Sequence, residues 1–147
     1  MAFLSSMDIS ASALTAQRFR MDVVAENLAN MSTTRTAEGT PYRRRMVIMQ
    51  ERSFENVLQT QMGADAAARA GGTGVRVSGI VEDQSPLKLE YKPEHPDANE
   101  DGYVEMPNVD LNVEIVDMLS ATRSYEANIT AINAVKTMAM AALDIGK

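Results

Sequence analysis

Between Pro107 and Gly146 the sequence runs without a glycine or a proline. Along that run Leu111, Ile115, Met118, Thr122, Tyr125, Ile129, Ile132, Ala139 and Leu143 follow an i, i+4, i+7 stripe, the period of one helix face. Asn108 or Asp110 offers a cap at the start, and Gly146 stands where a left-handed C-terminal residue is expected. At ~1.5 Å per residue, about 35 residues make a rod of about 50 Å. That exceeds the width of a globule built from 147 residues. The stripe therefore outruns the cover that the rest of the chain can supply, and other chains must bury part of it.

A second breaker-free segment runs roughly from Asp8 to Asn30. Met7, Leu14, Met21 and Leu28 recur every seven residues, with Ala11, Val24 and Ala25 on the same side and Arg18, Arg20, Asp22 and Glu26 mostly elsewhere. This is an amphipathic helix with the narrow seam of a coiled-coil-like contact, and Asp8 or Ser6 can cap its start. The two seams pair in part within one chain. The last helix, however, is expected to exceed the first by about a dozen residues, and one partner covers only one side. The subunit-interface candidates are therefore Met7, Leu14, Met21 and Leu28 with Leu111, Ile115, Met118, Tyr125, Ile129 and Ile132.

The middle reads differently. Tyr42 to Met49 is a candidate strand that contains the basic run Arg43-Arg44-Arg45. Val75, Val77 and Val81, then Leu87, Leu89 and Tyr91, nearly alternate with polar residues or glycine, as short strands with one buried face do. Residues 63–74 are rich in glycine and alanine, a linker or exposed loop. Pro93, Pro96 and Pro107 punctuate the acidic stretch before the last helix. The expected fold is α+β, with long terminal helices paired as a coiled-coil-like domain around a small central β module. The expected division is 1–36 for the first helix of a discontinuous domain, 37–107 for the β module, and 108–147 for the second helix.

The chemistry on offer is thin. There is no cysteine, which removes disulfides, thiolate catalysis and cysteine-ligated metals. The lone His95 has no second histidine with which to share a metal. Asp97 to Gly102 match the opening of a calcium loop, but Asn108 stands where the bidentate Glu belongs and three prolines deny it flanking helices. Ordinary turns use the same residues. Asn30-Met31-Ser32 and Asn128-Ile129-Thr130 are chance matches to a glycosylation pattern. No catalytic set, cofactor site or metal site is expected. The arginine run is read as a subunit contact or a solvated patch.

A net charge of −6 argues against nucleic-acid binding. The charge is uneven: residues 1–52 hold seven bases and five acids, and 53–147 hold seven and fifteen. That pattern suits head-to-tail matching between copies as well as plain solvation. No apolar run approaches the ~20 residues that span a bilayer, so direct membrane insertion is not expected. The N-terminus lacks the pattern of a cleaved signal peptide.

Ala25-Glu26-Asn27-Leu28-Ala29-Asn30, followed by Thr33 and Thr34, resembles the N-terminal signature of the flagellar rod and hook proteins. Tyr125-Glu126-Ala127-Asn128 and Lys136-Thr137-Met138 are similar to their other shared end. Between them come Pro41-Tyr42-Arg43-Arg44, Tyr91 to Ala98 with His95, Pro96 and Asp97, Gly102-Tyr103-Val104, and Pro107-Asn108-Val109. This order resembles the proximal-rod members of the family over nearly the whole chain. The resemblance implies a structural subunit of the flagellar basal body, exported unfolded by the flagellar type III apparatus without a cleaved signal. In the periplasm it would assemble with other rod proteins and with itself into a helical tube that carries motor torque. The terminal helices would line the tube and the β module would face outward. The competing reading of the helices is a coiled-coil adaptor or export chaperone bound to a soluble partner, which leaves the central run unexplained. An enzyme or calcium module built on residues 94–108 lacks the ligands it needs.

Overall fold

The structure, a computed structural model, describes residues 2–52 and 74–145. Most of the expected 63–74 loop lies outside these residues. Helix α1 spans Ala2–Ala29, 28 residues, and starts six positions before Asp8. Nothing in Ala2 to Met7 breaks a helix, so Ser6 and Asp8 lie inside the helix and do not cap it. Ser12 and Thr15 are accommodated by donating their hydroxyls to the carbonyls of Ile9 and Ala11, at 2.7 and 3.2 Å.

Strand β1 spans Arg45–Glu51 and pairs with β2, Val75–Glu82. The N–H of Asp83 donates to the carbonyl of Arg44, and that of Arg52 to Gly74. The start of each strand thus meets the end of the other, so the pair is antiparallel. β1 begins later than the expected Tyr42 because the preceding backbone is committed elsewhere. The N–H of Tyr42 donates to Thr33 O, and that of Arg44 to the Asn108 side chain.

Strands β3, Lys88–Tyr91, and β4, Tyr103–Met106, form an antiparallel pair that sets Lys88 against Met106, Leu89 against Glu105, Glu90 against Val104, and Tyr91 against Tyr103. Val104 on β4 is only 1% exposed, while every residue of β3 is exposed. Leu89 and Tyr91 are 66% and 64% exposed. The buried face expected for them belongs to Val104 on β4 instead. The strands join through the acidic turn, where Gly102 has φ +79° and an added Cβ would lie 2.9 Å from Tyr91 Cε2. Only glycine fits there.

Helix α2 spans Leu111–Ile145, 35 residues. Asp110 caps it by accepting the N–H of Asn112 at 2.9 Å. α2 exceeds α1 by seven residues (35 − 28). The margin is smaller than the sequence suggests because α1 starts early. The architecture is α+β, two long terminal helices with a small central β module.

The chain divides into two compact units. One comprises Met1–Phe19, Ile48–Gly79 and Ala121–Lys147; the other comprises Arg20–Val47 and Ile80–Ser120. Ala16 and Ala121 are buried in the first, and Val23, Val24, Tyr42, Val104 and Val109 in the second. Among the described residues no helix is long and apolar enough to cross a membrane.

Candidate functional site

A buried carboxylate is costly unless it is paired and hydrogen-bonded, and Glu114, on the first turn of α2, is 0% exposed. Its Oε1 lies 2.5 Å from Arg44 Nε, and its Oε2 accepts from Asn27 Nδ2 at 3.1 Å. Arg44 also reaches Asp117 Oδ2 at 3.1 Å, and Arg20 approaches the other oxygen of Asp117 at 3.0 Å. Burial works against the charge of Arg44. The Glu114 hydrogen bond and the charges of Glu114 and Asp117 outweigh it, so its pKa stands above the ordinary value.

Asn27, 1% exposed, makes four hydrogen bonds. It donates to Glu114 and to Arg45 O, and accepts from Tyr42 Oη and Arg45 N, each of the last three at 2.9 Å. That is the full capacity of one side-chain amide shared among α1, β1 and α2. Asn108 completes the frame, accepting from Arg44 N at 2.8 Å and donating to Asp83 O at 3.1 Å.

The motif residues Asn27, Tyr42 and Asn108 thus meet around Glu114, with Pro107 buried nearby in sequence. Leu28, Ala29, Asn30 and Pro41 flank this cluster along the chain. His95, Pro96, Asp97, Gly102 and Tyr103 shape the acidic turn. Asp97 accepts from Thr34 at 2.8 Å and His95 Nδ1 from Asp97 N at 3.1 Å, while Asn99 Oδ1 accepts from Tyr103 N at 2.8 Å. Two oxygens that a calcium loop would need, one on Asp97 and one on Asn99, are thus engaged by donors of the chain itself. Tyr125, Glu126 and Asn128 belong to the other unit and not to this cluster.

The arginine run is bonded within the chain. Arg43 donates to the carbonyls of Asp83 and Ser85, Arg44 binds Glu114 and Asp117, and Arg45 pairs with Glu26 at 2.6 Å with its guanidinium 5.6 Å from the Tyr42 ring centre. All three tie the chain to itself. Glu114, Asp117 and Arg20 were not singled out from the sequence. The available signal was the spacing Glu114, Asp117, Ala121, which puts two carboxylates on the covered line of α2.

Burial, and after it the Glu26 carboxylate, pushes the Tyr42 hydroxyl up from 10.0 to about 12. The folded state holds this proton more tightly than the unfolded state does. The associated stability is complete below pH 10.0 and is lost as pH rises toward about 12. Urea titrations across that window should show this loss in the wild type and a flatter profile in Tyr42→Phe. Parallel profiles would refute it.

Among the seam residues, Met7, Leu14, Met21, Leu28, Met118, Tyr125 and Ile132 are half-buried, while Leu111, Ile115 and Ile129 are exposed. The most buried positions of α1 are Ala16, Val23, Val24 and Asn27, of which only Val24 was placed on the side of the seven-residue seam.

Residues 7–35 match the family model for the flagella basal body rod protein, and residues 100–145 match that for the flagellar basal body rod FlgEFG protein C-terminal. The chain is 55% identical to the flagellar basal-body rod protein FlgC of Bacillus subtilis over 100% of both chains. It is 47% identical to that of Borreliella burgdorferi over 99% of this chain and 98% of the relative. With that of Salmonella typhimurium it shares 42% over 100% of both. Matched at both ends and along its full length, the chain belongs to the FlgC family of flagellar basal-body rod proteins.

Proposed function

We propose that this structural subunit of the flagellar basal-body rod assembles by burying the uncovered apolar residues of its terminal helices against neighbouring subunits. One observation carries the reading: along α2, Val116, Leu119, Met138, Met140 and Leu143 are 64%, 52%, 58%, 58% and 74% exposed. Large apolar side chains exposed repeatedly along one helix are candidates for cover by protein contacts. In this reading 1–36 and 108–147 form one discontinuous coiled-coil-like domain and 37–107 the β module. The seam residues Met7, Leu14, Met21, Leu28, Leu111, Ile115, Met118, Tyr125, Ile129 and Ile132 contribute the subunit contacts. Heterologous contacts that do not close into a ring propagate into a helical assembly, here with other rod proteins and with further copies.

Such a tube would stand in the periplasm, transmit motor torque and form the wall of the export channel. The chain would reach it unfolded through the flagellar type III apparatus, without a cleaved signal. A sequence free of cysteine suits passage as an unfolded chain into an oxidising compartment. The role is mechanical and requires no catalysis.

A tagged copy should co-purify with detergent-extracted basal bodies after their cytoplasmic parts are stripped. Recovery as a finite soluble complex, or together with the export machinery, would favour the adaptor reading instead.

A further inference from the structure

The β3–β4 register puts Leu89, Tyr91, Tyr103 and Glu105 on one outward face, with the two tyrosine rings in edge contact at 5.3 Å. Leu89, Tyr91 and Tyr103 are 66%, 64% and 44% exposed, an aromatic platform on the surface. Its surroundings are acidic. Residues 82–105 carry eight carboxylates and two lysines, and both lysines are already engaged, Lys88 with Asp110 at 3.8 Å and Lys92 with Glu90 at 3.0 Å. No described cation pairs with Glu94, Glu100, Asp101 or Glu105. A surface that satisfies this face must bring cations, preferably arginines, whose guanidinium stacks on tyrosine while pairing with carboxylate.

The other unit of the same chain has that chemistry. Between α1 and the first half of β2 lies an open groove of about 530 Å³, whose lining includes Ala11, Phe19, Val75 and Val77 together with Arg52 and Arg76. Both arginines are exposed and neither pairs with a described carboxylate. Among the described residues Asp8 is the one acid in the lining. The charge balance agrees: residues 20–47 and 80–120 hold fourteen acids and seven bases, whereas 2–19, 48–52, 74–79 and 121–145 hold four and five.

We propose that the tyrosine face of the β3–β4 hairpin in one copy docks onto the arginine-bearing groove beside α1 in a second copy. The proposal rests on the rod-subunit reading and names a contact within it. Tyr91 and Tyr103 receive the guanidinium groups, and Glu105 and Asp101 pair with them. Because the two surfaces differ, the contact is heterologous and each copy offers a free surface to the next.

The cysteine-free background permits a direct test. Two differently tagged full-length copies, one Tyr91→Cys and one Arg76→Cys, are co-expressed, and isolated basal bodies are treated with a short bismaleimide. A band carrying both tags is expected, and none when Glu38→Cys replaces Tyr91→Cys. Basal bodies that contain both variants but give no such band overturn the contact while leaving the rod reading intact. A band joining Tyr91→Cys to a different protein overturns the second-copy assignment. Charge reversal gives an independent readout. Arg52→Glu with Arg76→Glu should abolish motility, as should Asp101→Arg with Glu105→Arg, and all four together should restore it. Loss without restoration, or no loss, refutes the pairing. Failure of the wild-type chain to enter basal bodies would instead sink the rod reading itself.

Discussion

Glu114→Ala lowers unfolding stability by about 3–5 kcal/mol, the loss typical when one partner of a buried ion pair is removed. Two neighbours are stranded at once. Arg44, whose side chain is 17% exposed, loses its closest counter-charge, and Asn27 loses one of its four partners. A small domain holds only about 5–15 kcal/mol in total, so the variant approaches unfolding. Asp117→Ala is the control. Its side chain is 32% exposed, and a pair that open to water is worth about 1 kcal/mol or less. The urea midpoint should fall steeply in the first variant and slightly in the second, with the slope unchanged. Exchanging both partners for apolar residues, Glu114→Leu with Arg44→Met, should recover much of the loss, because no lone charge remains buried. Equal small effects in the two alanine variants would mean that Glu114 is not the anchor described.

The second large effect belongs to the assembly. Ile129→Asp alters a residue 39% exposed in the isolated chain, so monomer stability should move by no more than about 0.5 kcal/mol. In a packed subunit contact the same change buries an unpaired charge, at a cost of several kcal/mol, or about a hundredfold or more in affinity per contact. The expected phenotype is a stable, exported-competent protein that fails to enter basal bodies, and cells that do not swim. Normal swimming would show that Ile129 lies outside the contact.

The helices were legible because their signal is local. A 35-residue stretch without glycine or proline, opened by Asp110, has few alternatives, and the length of α2 came out as the sequence implied. The start of α1 did not, because Ser6 and Asp8 are good caps by type while the residues before them do nothing to stop a helix. Strand β4 was missed for another reason. Four residues, Tyr103 to Met106, gain strand character only from pairing with β3, and pairing is not written in a window of four. The same limit reversed the hairpin's faces, since Leu89 and Val104 compete for the inside and the register decides.

The polar cluster shows the deepest limit. Charges at helical spacing are read as solvent-facing, and Glu114 and Asp117 fit that reading in isolation. The burial of Glu114 depends on Arg44, 70 residues away in sequence. The motif residues Asn27, Tyr42 and Asn108 were visible as a pattern. That they close on one another through hydrogen bonds is a tertiary fact.

The Asn27–Glu114 bond spans 87 positions of sequence, and this has a consequence for timing. A chain that emerges N-terminus first, from a ribosome or a pore, presents Asn27 long before Glu114 exists to meet it. Until then the amide can engage only its nearer partners at Tyr42 and Arg45, with three bonds in place of four. The final bond closes a loop whose entropic cost grows only slowly with length, so delay, more than distance, governs when it forms. Among the described residues the most buried carboxylate is therefore also the last part of this anchor to be supplied: the bonding of Asn27 is complete only when the last quarter of the chain is present.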